Sequence, residues 1–158
     1  MSARVTIRVV NDFDSKAIDQ LRQRIKKDDR EVRVGIPDAA AEEDGTSVAT
    51  IAAAHEYGSP SQGIPERPFL GMTIKNNRQR YASLCRANIG KMLRGDKTLT
   101  DALDELGTIA AADVRTTIAN GEFEPLKPAT IKRKGSSRPL IDTGRMRQSI
   151  THVIAPKS

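Results

Sequence analysis

The stretch FLGMTIKNNRQRYASLCRANIGKMLRGDKTLTDALDELGTIAAADVRTTIANG, residues 69–121, decides the fold. Two apolar stripes of helical period run through it, with a break at Gly95-Asp96 between them. The first stripe is Ile74, Tyr81, Leu84, Cys85, Ile89 and Met92. The second is Leu99, Leu103, Leu106, Ala110, Val114 and Ile118. This spacing predicts helices over 69–94 and 98–120, the second capped by Thr98 or Thr100 and closed by Gly121. So short a break folds the two into an antiparallel pair. Residues 70–97 carry a net charge of +6 and residues 98–126 one of −5, so their facing edges complement each other.

Upstream, Val5, Ile7 and Val9 alternate with polar residues over 4–10, which predicts a half-buried strand. Asp14 or Ser15 then caps a helix with the stripe Ala17, Ile18, Leu21 and Ile25. Val32, Val34 and Ile36 predict a second strand over 31–36. Residues 37–47 form an acidic loop without periodicity. Thr46 or Ser47 caps a short Ala-rich helix that stops at Gly58. Pro60, Gly63, Pro65 and Pro68 make 59–68 a shaped loop. Downstream lie basic helical turns over 128–134, a short turn at 145–148 and a last strand over 149–154. Strands at both ends of the chain and helices between them predict one α+β domain over 1–158, with a small, mostly antiparallel sheet covered by helices.

At 158 residues, with 37% apolar residues and five aromatics, the chain buries a lean core. No apolar run approaches the roughly 20 residues of a membrane span. Cys85 is the single cysteine, and its place on the first stripe makes it a core residue. His55-Glu56 opens like a zinc-protease helix, but Ser59 stands where the second histidine belongs. No phosphate-cradling or nucleophile-elbow motif occurs. Asp101, Asp104 and Glu105 sit at a helix N-terminus, where the macrodipole favours acids. Nothing in the sequence argues for catalysis, a cofactor or a metal.

The basic helix over 75–94 carries Lys75, Arg78, Arg80, Arg86, Lys91 and Arg94. Phosphate contacts would use such a face. The aromatics of single-strand readers and a helix-turn-helix pattern are missing, which favours a solvated or subunit-facing surface. Arg78 and Arg80 are accordingly expected to meet an acidic neighbour.

Two segments carry a more specific signal. One is Ala53-Ala-His-Glu-Tyr-Gly-Ser followed by Ile64-Pro-Glu-Arg-Pro-Phe-Leu. The other is Pro139-Leu-Ile-Asp-Thr-Gly-Arg-Met-Arg-Gln-Ser-Ile-Thr. Together they resemble the tail-completion proteins of tailed bacteriophages, in the virion-morphogenesis and minor-tail-protein-Z-like groups. Met146 stands where that pattern usually has Leu. The resemblance covers roughly residues 30–155 and implies a noncatalytic virion protein, made in the host cytoplasm, that joins tail to head at the neck. It implies a ring, commonly of six copies, beside a tail terminator or tail tube protein and a head-completion or connector protein. Genome DNA would pass through the lumen without sequence-specific binding, and no membrane is involved. The alternative from the residues alone is a basic nucleic-acid-binding module.

For the ring role, Tyr57, Gly58, Pro65, Arg67, Pro68 and Phe69 are the expected interface residues of the first segment. A proline-stiffened loop loses little entropy on docking, and Arg67 offers a five-donor fork for carboxylates or carbonyls. Arg67 and Phe69 either anchor a partner or pin the loop to its own domain. In the second segment the expected set is Asp142, Thr143, Gly144 and Arg145. Asp142 or Thr143 would cap the following turn, and Gly144 would allow close backbone approach.

Overall fold

The Asp14 carboxylate accepts from Lys16 N (3.1 Å) and starts helix α1, Ser15–Lys27. The computed structural model describes residues 14–37, 42–43, 45–134, 137, 139–140 and 144–157, with 42–43 and 133–134 as backbone only. The strand expected at 4–10, Asp142 and Thr143 lie outside the described residues. Strand β1, Arg30–Gly35, follows α1. Asp28 fixes its start by accepting from Arg30 N (3.0 Å), Nε (3.0 Å) and Nη2 (2.7 Å). These bonds push the Asp28 carboxyl down to about 2. Within the expected acidic loop, β2 (Glu42–Glu43) and β3 (Thr46–Ser47) form a two-residue antiparallel ladder.

Ser47 caps helix α2, Val48–Tyr57, by accepting from Thr50 N (3.1 Å). After a 3₁₀ turn at Pro60–Gln62 come the two long helices, α3 (Phe69–Arg94) and α4 (Leu99–Asn120). Thr98 and Asp101 form a reciprocal capping box on α4. Helices α5 (Pro128–Lys134) and α6 (Arg145–Ser149) precede β4, Thr151–Pro156.

Strand β4 pairs antiparallel with β1, Val32 opposite Ile154 and Val34 opposite His152. Strands from the N-terminal and C-terminal parts of the chain therefore meet in one sheet, and with the helices they make an α+β fold. Helix α4 is the middle layer, packed on the sheet through one side and on α3 through the other. Its buried side is small: Ala102, Gly107, Ala110, Ala111, Val114 and Ile118. At Gly107 the approach is closest, because an added Cβ would lie 2.3 Å from His152 Cδ2. His152 Nε2 lies 2.9 Å from Asp104 Oδ1, one turn before Gly107. Gly121 closes α4, as expected, and does so without a left-handed conformation. Its φ is −66°, and what it supplies is room for the Phe123 ring, 2.6 Å from where a Cβ would stand.

The stripe expected to seat α3 does so only in part: Tyr81, Leu84 and Met92 are half-buried, the other three are not. Ile74 and Ile89 are 47% and 41% exposed, and Cys85 is exposed rather than a core residue. The seam toward α4 is polar and displaces those three outward. Thr73 Oγ1 donates to the Phe69 carbonyl (2.6 Å) and makes a hydroxyl bond with Thr117 (2.7 Å). Asp113 accepts from Arg80 Nη1 (2.8 Å) and from the Tyr81 hydroxyl (2.9 Å). Glu105 accepts from buried Asn88 (2.7 Å) and from Lys97 (2.7 Å). The Lys97 and Asn88 bonds hold the Glu105 carboxyl below its ordinary range. Opposite charges of the two segments do meet, at Arg80–Asp113 between the helices and at Lys97–Glu105 beside their connecting turn.

Burial and the bond to Asp113 push the Tyr81 phenol up to about 12 from 10.0. The raised value keeps the proton on the folded state where the unfolded chain has released it. This contribution is full below pH 10 and is lost as pH rises to about 12. Denaturant titrations across that window should show stability falling, and Tyr81→Phe should remove that part of the slope. Gly107→Ala should cost about 1–3 kcal/mol despite its better helix propensity, because the imidazole must move. The shift of the urea midpoint measures it.

Candidate functional site

Helix α3 begins at Pro68-Phe69 without a capping side chain of its own. Its first N–H groups need acceptors from elsewhere. Glu56, in the last turn of α2 and 8% exposed, provides them. Its Oε2 accepts from Leu70 N (2.8 Å) and its Oε1 from Gly71 N (2.9 Å). A carboxylate on the positive end of a 26-residue helix is favourable by both hydrogen bonding and dipole.

The loop between α2 and α3 is built around that cap. Gly58 has φ +73°, and a Cβ there would meet Glu66 N at 3.1 Å and Ile64 O at 3.3 Å. Both the conformation and the space demand glycine. Ser59 and Ile64 exchange backbone hydrogen bonds (2.8 and 3.0 Å) and close the loop on itself. Arg67 N donates to the His55 carbonyl (2.7 Å). The Arg67 guanidinium reaches the segment after α4 and donates from Nε (3.2 Å) and Nη2 (3.1 Å) to the Glu124 carbonyl. Desolvation lowers the Arg67 pKa from its ordinary value, with the Glu124 charge opposing. Phe69 is wholly buried in the core with Val48, Ala52, Val114, Ile118 and Ile150.

The second segment packs against the same place. Leu140 and Met146 are buried beside α2, and Ile150 is wholly buried. The Ile150 carbonyl accepts from Arg115 Nη2. Gly144 is the N-cap of α6 with φ +81° and no close neighbour. Its glycine serves the left-handed conformation, which corrects the expected role in close backbone approach.

Between the two segments lies an open cleft of about 470 Å³. Ile51, Ala54 and His55 of α2 form one wall, Ile64, Pro65 and Arg67 another. Leu126 and Lys127 form a third, and Leu140, Gly144, Arg145 and Met146 close it. Of the expected site residues, the fold thus gathers Pro65, Arg67, Gly144 and Arg145. Tyr57, Gly58 and Pro65 border a shallower depression alongside, with Glu66 and Lys127. Tyr57 is 77% exposed. Pro68 is spent on the α3 N-cap, and Arg78 and Arg80 line neither depression.

Two expectations need correction. Phe69 cannot anchor a partner, because its own core covers it completely. Arg67 is 3% exposed and clasps its own chain rather than standing out as a fork. Glu56 and the Glu124 carbonyl were missed. The signal was the absence of any Ser, Thr, Asp or Asn before α3, which obliges a distant acceptor. Among the described residues no acidic or histidine cluster suited to a metal occurs, and no helix is long and apolar enough to cross a membrane. Comparison with family models, curated proteins and solved structures returns no match.

Glu56→Ala should lower stability by about 1–3 kcal/mol, because two helix N–H groups lose their acceptor. Glu56→Gln, which keeps one acceptor, should cost less. Phe69→Ala should cost about 3–5 kcal/mol through its cavity. Equilibrium unfolding followed by circular dichroism checks all three.

Proposed function

We propose that this chain is a noncatalytic structural subunit of a tailed-bacteriophage particle, completing the tail where it joins the head. One observation supports the reading most. The two segments that carry the resemblance, far apart in the chain, come together around one cleft beside exposed Tyr57. Copies of the chain would assemble as a ring, six by the resemblance, between a tail terminator or tube protein and a connector. Such a ring closes through unlike patches, one meeting the other by rotation.

The surface supplies unlike patches. Arg78, Lys75, Arg86 and Lys91 lie exposed on α3. Asp101, Asp104, Glu122 and Glu124 lie exposed on or just after α4. Arg80 has a neighbour within the chain, since Asp113 holds it and raises its pKa further. The exposed cations of α3 also suit a nucleic-acid-binding module. Phosphate contacts would then give an affinity that falls steeply with salt.

Immunogold labelling of particles should place the chain at the head–tail junction, and inactivating its gene should leave heads and tails unjoined. Label elsewhere on the particle overturns the reading, and salt-sensitive duplex binding by the isolated chain favours the nucleic-acid module. Arg78→Glu and Tyr57→Ala should leave the thermal melt nearly unchanged and reduce incorporation into particles. Arg80→Glu should lower the melt as well, because it turns an ion pair with Asp113 into a like-charge contact.

A further inference from the structure

Arg67 is a permanent cation at 3% exposure on the wall of the cleft. A buried charge is costly unless it is paired. Both of its hydrogen bonds within the chain go to one neutral acceptor, the Glu124 carbonyl, and engage Nε and Nη2. A guanidinium has five donors, so this clasp leaves three uncommitted on a residue that lines the cleft. Among the described residues no carboxylate forms an ion pair with it. The Glu124 carboxylate acts on it only through its field, from an exposed side chain.

The cleft around it is built for more than a bare anion. Lys127 stands exposed on its rim, so it and Arg67 add positive charge to a lining whose one described carboxylate is that of Glu124. Beneath them Leu126 and Met146 are buried and Ile51 half-buried, giving an apolar shelf beside the cation. At about 470 Å³ the space holds a few side chains.

We infer that this cleft is a socket for an acidic peptide segment of a partner protein, one carboxylate on Arg67 and the flanking apolar side chains on Ile51, Leu126 and Met146. A carboxylate there completes a charge-assisted pair with a guanidinium that the fold has already largely desolvated, which strengthens the pair. The cost of burying Arg67 is already met within the fold, so the incoming acid meets a preorganised donor. The choice of a peptide rests on the assembly role proposed above; the recognition of a carboxylate beside an apolar surface does not.

The test uses the full chain and two peptides, N-acetyl-Leu-Glu-Leu-amide and its glutamine counterpart. Titration followed by NMR should shift the Arg67 Hε, Ile51 and Met146 signals with saturation. The glutamate peptide should bind about tenfold tighter, the ratio expected of one added charge-assisted bond. Lys127→Glu, on the exposed rim, should weaken the glutamate peptide and leave the glutamine peptide nearly unchanged. Equal binding of the two peptides, no saturable shift at those three residues, or shifts confined elsewhere would each overturn the socket. Its fate is separate from that of the neck reading. A chain absent from the head–tail junction that still prefers glutamate keeps the socket, and one at the junction indifferent to both peptides loses only the socket.

Discussion

The Glu56 carboxylate on the N-terminus of α3 is the contact on which the rest of the structure hangs. It fixes where the longest helix begins. It also fixes the reach of the loop that carries Arg67 into the cleft and Phe69 into the core. The helix needs it because Pro68 offers no capping side chain. Glu56 in turn is held in the last turn of α2, whose end is set by the left-handed Gly58. Removing the carboxylate would expose α3 to fraying at the point where the core's largest buried side chain enters.

From that fixed start α3 runs along α4 over a seam that is more polar than either helix's sequence suggests. Thr73–Thr117, Tyr81–Asp113 and Asn88–Glu105 are discrete hydrogen bonds along one line. They set the register of the two helices more sharply than apolar contact would, since each pair tolerates little sliding. The apolar side chains displaced by this arrangement, Ile74 and Ile89, remain substantially exposed on the outer side of α3. On the other side of α4 the residues are small, and Gly107 lets the sheet approach until His152 covers it.

The residues that carry the phage resemblance have a structural account of their own. Glu56, Gly58, Arg67, Phe69, Leu140, Met146 and Ile150 are caps, turns and core. Such a pattern marks a fold first. The surface left for partners is what this framework presents: Tyr57, the rim cation Lys127, and the cleft itself. The proposed neck role therefore rests on how these motifs converge, and less on any one of them as a contact.

Helix boundaries were legible in the sequence because they depend on local chemistry. Asp14, Ser47 and Thr98 cap where their side chains accept from N–H groups of the first turn that follows. Gly58 and Gly95 end helices through positive φ, and the 3.6-residue period located both long helices. The antiparallel meeting of β1 and β4 followed from strands at both ends of a helical chain. Tertiary structure decided what local pattern does not encode, namely which face of a helix turns inward. The stripe through Ile74, Cys85 and Ile89 has the right period for burial, yet the polar line through Thr73 and Asn88 won, because buried hydrogen-bonding groups must find partners and α4 supplied them. Arg67 shows the same limit. Its sequence context offers a free fork, and only the packing of a segment 57 residues later turned it into a clasp at the edge of a cleft.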